Sequence, residues 1–181
     1  QTPIVFCKPS GALLRDNKPF YYPDFSDDIQ YEVELLLRLA KPARAVPKHK
    51  AFEYISHIGL GIDFTARDIQ SRCKDKGLPW EIAKGFDRSA PLGKWMSLED
   101  IPNPENIGFE LWKNGKVVQQ GQTHDMIFSF NSLIVHLSKY FTVQKGDYVF
   151  TGTPAGVGPV QKGDVLEGFV EGVPLLECRI S

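Results

Sequence analysis

Two glutamates spaced two apart inside an apolar run, Glu32 and Glu34, are the first residues in this chain suited to chemistry. The run from Gln30 to Leu39 is β-prone, and in a strand successive side chains point to opposite faces. Glu32 and Glu34 then project side by side, while Tyr31, Val33 and Leu35 face the other way. Carboxylates held that close repel unless protons or a cation compensate. A hard divalent cation, which prefers carboxylate, carbonyl and water oxygens, is the natural compensator. The plain alternative is a half-exposed strand whose wet face happens to be acidic. A third carboxylate, Asp63, ends a second apolar run and is followed closely by Arg67 and Gln70, which favours the metal reading. Lys84 lies between Ala83 and Gly85, in a setting too apolar for a lysine that merely solvates a surface. Thr151 to Gly158 forms a glycine-rich loop without the Gly-Lys-Ser/Thr ending of a phosphate-binding P-loop. It reads instead as a tight turn offering backbone N–H groups and a threonine hydroxyl to a small anion.

Elements able to hold these residues can be traced along the chain. Residues 1–11 read as a strand entering a turn at Lys8-Pro9-Ser10-Gly11, and Asp16 to Pro19 as a second turn. Lys41-Pro42 ends the glutamate-bearing strand, and a short helix is expected from Lys48 to Tyr54. Ile55 to Phe64 reads as a buried strand with Asp63 at its end. Thr65 and Asp68 then make a capping-box-like start for a helix through Lys76, stopped by Gly77. Pro79 to Gly93 shows neither helical nor strand periodicity. Ile107–Lys113 and Lys116–Gln120 flank Asn114-Gly115, the strongest hairpin signal present. Asp125 is placed to cap a helix whose apolar stripe runs through Phe130, Leu133, Ile134, Leu137 and Phe141. The tetrapeptide Gln-Lys-Gly-Asp occurs at 144–147 and again at 161–164, which reads as reused turn chemistry and not as a repeat architecture.

The 181 residues, 42% hydrophobic and 24% charged, suit one domain with a sizeable core. A net charge of −1 gives no basic field for nucleic acid. No apolar run approaches membrane-spanning length. Cys7, Cys73 and Cys178 are odd in number and far apart, which argues for a reduced, cytoplasmic setting against a disulfide framework. Cys7 and Cys178 read as small core residues.

Five ordered motifs resemble the fumarylacetoacetate hydrolase superfamily over nearly the whole chain, here treated as one catalytic domain spanning 1–181. They are Tyr31–Leu35, Asp63–Gln70, Gly77–Trp80 with Ala83–Asp87, Gly121–Thr123 with Met126–Phe128, and Thr151–Gly158. The nearest likeness is to small members: acylpyruvases, oxaloacetate decarboxylases and hydroxyheptadienedioate isomerases. The resemblance implies a β-rich α+β fold, a mixed β-sheet roll with a few short helices, commonly paired as a homodimer. It implies that Glu32, Glu34 and Asp63 bind Mg²⁺ or Mn²⁺, and that Lys84 holds a substrate oxyanion. Arg67 and Gln70 would line the pocket, with Thr153 and Gly152 contacting a substrate carboxylate. Family members also carry a His and a Glu on an N-terminal lid that activates water. His49, His57, His124 and His136 match none of that segment, so the lid either precedes Gln1 or is lacking.

The substrates so implied are small 2-oxo or 1,3-dicarbonyl acids, reacting by C–C hydrolysis or by decarboxylation through an enolate. Isomerisation or tautomerisation is the alternative, and a non-catalytic metabolite-binding member the reading from another class. Enolate chemistry needs no nucleophilic water, so the residues present suffice for it more nearly than for hydrolysis.

Overall fold

The computed structural model describes residues 2–181. Strands β1 (Leu13–Leu14), β2 (Ile29–Tyr31), β3 (Val33–Leu39), β4 (Ile55–Ile62) and β5 (Thr65–Ala66) come first. Helices α1 (Arg67–Lys76) and α2 (Glu81–Lys84) follow, then β6 (Ala90–Ser97) and the pair β7 (Gly108–Lys113) and β8 (Lys116–Gln122). Helix α3 (Phe130–Tyr140) precedes β9 (Tyr148–Phe150), β10 (Gly158–Pro159), β11 (Val165–Val170) and β12 (Val173–Arg179). The result is a β-rich α+β roll whose strands fall into a five-stranded sheet β1-β6-β4-β3-β9, a three-stranded sheet β10-β2-β5 and a four-stranded sheet β12-β11-β7-β8. The five-stranded sheet is mixed because β1 runs parallel to β6 while its other pairs are antiparallel.

Strands β3 and β4 form the floor of the core. Leu35, Leu36, Leu37, Ile58, Leu60 and Ile62 are wholly buried, so these strands are covered on both faces, as their unbroken apolar runs require. The four-stranded sheet closes over β4 at very short range. A Cβ built on Gly168 would lie 2.4 Å from Leu60 Cδ2, so only glycine lets β11 approach. On the other flank α3 rests on a 3-10 turn at Lys48–Tyr54. Among the described residues, no helix is long and apolar enough to cross a membrane.

The hairpin turn holds as read: Asn114 and Gly115 both have positive φ, 52° and 75°, as a type I′ turn demands. The two Gln-Lys-Gly-Asp segments are the same turn, with Asp147 and Asp164 each accepting the N–H of the glutamine three residues back, at 2.7 and 2.8 Å. Several boundaries differ from expectation. Residues 2–9 carry no regular structure, and Cys7 is exposed, whereas Cys178 is buried. Pro3 and Pro9 lack the N–H that a ladder needs, and the Lys8 side chain ties the segment to Asp63. Thr65 is not a helix cap; it sits in β5 and donates to the Asp63 carbonyl, leaving Ala66 at the cap position. Asp68 closes on Ser26 and the Ile69 N–H instead. Asp125 belongs to a 3-10 turn, and Ser129 caps α3 by accepting from the Ser132 N–H. Strand β6 was unforeseen, because Pro91 and Gly93 interrupt its pattern.

Candidate active site

The glutamate-bearing run is not one strand. It breaks at Glu32, with β2 pairing into the three-stranded sheet and β3 into the five-stranded one. The Glu32 carbonyl accepts the Asp63 N–H at 2.8 Å, which ties the break to the point where β4 ends. One ligand oxygen from each of Glu32, Glu34 and Asp63 lies within 4.8 Å of the others. These residues are 8, 5 and 1% exposed, which rules out the acidic wet face.

Three cations meet this cluster. Lys84, 3% exposed, puts Nζ 2.7 Å from both Glu32 Oε2 and Asp63 Oδ2. It is delivered by the short α2, which Trp80 opens through its carbonyl. Arg67, first residue of α1, reaches Glu32 Oε1 at 2.6 Å, and its other nitrogens donate to Gln70 and Gln30. The third cation is one that sequence reasoning missed. Lys8 Nζ lies 2.7 Å from Asp63 Oδ1, donates to Ser89 Oγ and contacts the Lys84 carbonyl. Its Lys-Pro context reads as a turn, and the apolar run before it, with the Phe6 ring 5.3 Å from Lys84 Nζ, is the signal of burial there.

The acids are not equivalent. Burial pushes the Glu32 carboxyl up, but Lys84 and Arg67 together outweigh it and hold it below the usual range. Glu34 takes part in no ion pair among the described residues and receives a single hydrogen bond from the Gly152 N–H, at 2.6 Å. Burial, and then the Asp63 charge, push it up to about 8. The Lys8 ammonium sits below the usual lysine range because burial outweighs the pull of Asp63.

The glycine-rich loop closes the far side. Gly152, expected to contact a substrate carboxylate, spends its N–H on Glu34. Thr153 is half-buried, and its hydroxyl accepts from Gln119 Nε2 at 2.8 Å. Gly156 has φ 101°, and a Cβ there would lie 2.3 Å from the Val118 carbonyl, so the loop lies directly on β8. His124 bonds Asn106 at the surface, and His57 bonds none of the residues gathered here.

A divalent ion fits this donor set. All three ligands are hard oxygens, and Glu34 lacks a countercharge. Asp63 Oδ1 is buried, with the Lys8 ammonium at 2.7 Å as its ion-pair partner.

The model of the fumarylacetoacetate (FAA) hydrolase C-terminal family matches residues 1–181. The chain belongs to the fumarylacetoacetate hydrolase family. Membership makes it an enzyme, with relatives of differing reaction. It is 40% identical over 179 residues to the mitochondrial oxaloacetate tautomerase FAHD1 of Homo sapiens, covering 99% of this chain and 81% of that one. The fumarylpyruvate hydrolase of Pseudomonas aeruginosa, solved with Mn²⁺ and pyruvate, superposes with a TM-score of 0.94 at 34% identity, over 99% of this chain and 79% of that one. The 2-hydroxyhepta-2,4-diene-1,7-dioate isomerase of Mycobacterium marinum superposes at 0.90 and 32% identity, over 99% and 69%.

Proposed function

We propose that this family member uses Mg²⁺ or Mn²⁺ to interconvert enol and keto forms of small 2-oxo acids of the oxaloacetate kind. The observation that carries this reading is the buried triad of Glu32, Glu34 and Asp63 with Lys84 bridging two of its members. A divalent ion held by the three carboxylates would polarise the 2-oxo group as a Lewis acid. Lys84 Nζ donates to the oxygen that gains charge as the enolate forms, in a site where few waters compete. Arg67, fixed by Glu32 and Gln70, presents its remaining surface to a carboxylate of the substrate. Thr153 adds a hydroxyl donor on the loop side. Lys8, eased below the usual lysine range, gives up a proton more readily than a surface lysine. Tautomerisation moves one proton between carbon and oxygen and consumes no water, so these groups come nearer to sufficing for it than for hydrolysis. Similarity to oxaloacetate tautomerases at about 40% identity supports the choice.

Hydrolysis of an acylpyruvate is the second reading, supported by the Mn²⁺- and pyruvate-bearing neighbour. Decarboxylation of oxaloacetate would draw on the same enolate. Ultraviolet absorbance of oxaloacetate distinguishes them: ion-dependent enol–keto conversion without loss of CO₂ is expected. No rate above buffer with either ion would sink the proposal. Faster release of pyruvate from acylpyruvate would favour the second reading.

A further inference from the structure

Gln119 lies on β8, in the four-stranded sheet, yet its side chain ends beside the acidic cluster. It is 2% exposed. Its Oε1 accepts the N–H of Val33, the residue between the two glutamates, at 2.9 Å. Its Nε2 donates both to Thr153 Oγ1 at 2.8 Å and to the Pro154 carbonyl at 2.9 Å. The amide orientation is dictated by these partners. Reversing it would set a donor against the Val33 N–H and an acceptor against the Pro154 carbonyl.

We infer that Gln119 is a positioning residue that fixes the Thr153 hydroxyl against the Val33 N–H, beside the glutamates. A hydroxyl that accepts from Gln119 keeps its own proton for another acceptor, so Gln119 turns Thr153 into a directed donor. The same side chain patches the backbone break through which the glutamates pass from one sheet to another. Gln119 thus bridges two elements that touch a ligand from opposite sides without touching the ligand itself. Where the inference concerns substrate carboxylate, it rests on the oxo-acid reading above.

The test uses Gln119→Met, near in volume but without polar atoms, beside Thr153→Val and the double variant. Oxalate is the probe for a planar dicarboxylate, titrated calorimetrically into Mn²⁺-loaded protein. Loss of one hydrogen bond to a charged group is worth ~1.5–3 kcal/mol, or about 10- to 100-fold in affinity. Gln119→Met should weaken oxalate by about that factor while Mn²⁺ affinity changes less than about threefold, a split a general loss of stability would not give. The double variant should be no weaker than Thr153→Val alone. Additive losses, or Mn²⁺ and oxalate affinities falling in parallel, would overturn the inference. Hydrogen exchange of the metal-free protein decides it independently of any ligand: Gln119→Met should speed exchange at Val33 and Gly152 while β4 stays protected. Unchanged exchange at Val33 and Gly152 would overturn it as well. Failure of wild-type protein to bind oxalate would sink the oxo-acid reading, with the exchange result still deciding the role of Gln119.

Discussion

Asp164 in a turn and Glu34 in a strand are both carboxylates, and their surroundings drive them in opposite directions. Asp164 closes a surface turn. It accepts from Asn114, from the Gln161 N–H and from Lys113, and these outweigh its partial burial to hold its carboxyl below the usual range. Glu34 is buried beside two other acids with one backbone donor, and rises to about 8. The turn uses up its acceptor capacity on the protein; the cluster leaves its capacity spare. That surplus distinguishes a carboxylate awaiting a ligand from one completing a fold.

The contrast can be broken most severely at Lys84. In Lys84→Met two buried carboxylates lose their shared cation, which should destabilise the metal-free protein by about 3–5 kcal/mol. Thermal unfolding with and without Mn²⁺ checks this, and the ion should restore much of the loss. Full stability of the metal-free variant would mean that Lys84 does not balance the acids. The lysine is expected to act through charge, so borohydride trapping with oxaloacetate should leave the protein mass unchanged.

Glu34→Gln comes next. Removing a ligand should cost more than the about 10- to 100-fold typical of outer partners, read as Mn²⁺ affinity by calorimetry. Wild-type binding at pH 7 should expel about one proton, because a carboxyl near 8 must ionise to serve as ligand. Affinity should climb with pH to about 8 in wild type and lose that slope in Glu34→Gln.

In the metal-free protein the two carboxyls predict opposite pH windows. Glu34 is raised from 4.5, so its contribution is complete below about 4.5 and lost as pH rises through about 8. Asp164 is depressed from 3.8, so its contribution is present above that value and lost as pH falls. Melting curves across pH for wild type, Glu34→Gln and Asp164→Asn should each remove one of these slopes. Asp164→Asn should cost only about 1 kcal/mol and leave Mn²⁺ affinity unchanged. A change in ion binding there would show that the turn and the cluster are not separate devices.

The cluster was legible in the sequence because its signals are local: a two-residue spacing, an apolar run, an acid at a strand end. The Asn114-Gly115 hairpin and both Gln-Lys-Gly-Asp turns were legible for the same reason, since backbone geometry there is set by the residues of the turn. What escaped depends on contacts between distant segments. Lys8 belongs to the site only because the irregular first residues cross Asp63 and Ser89. Gln119 is one of three glutamines close together in a hairpin, and nothing in its neighbours marks it as the buried one. β6 keeps a glycine and a proline that look like breakers until another strand is seen against them: a Cβ on Gly93 would lie 2.6 Å from the Leu175 carbonyl. The caps of α1 and α3 were misplaced because threonine and aspartate each had a nearer tertiary partner or turn to serve.

The pairing of β3 with β9 joins Leu36 to Phe150, and Gly152 caps Glu34 from the same late segment. During synthesis roughly a hundred residues separate the emergence of these partners, or about 5–20 s at ordinary elongation rates. For that interval Leu35, Leu36 and Leu37 lie along an open sheet edge, with an unneutralised acid at its head. The nascent chain therefore keeps an apolar edge open at the strand that carries its chemistry, and that edge is what a ribosome-associated chaperone would meet.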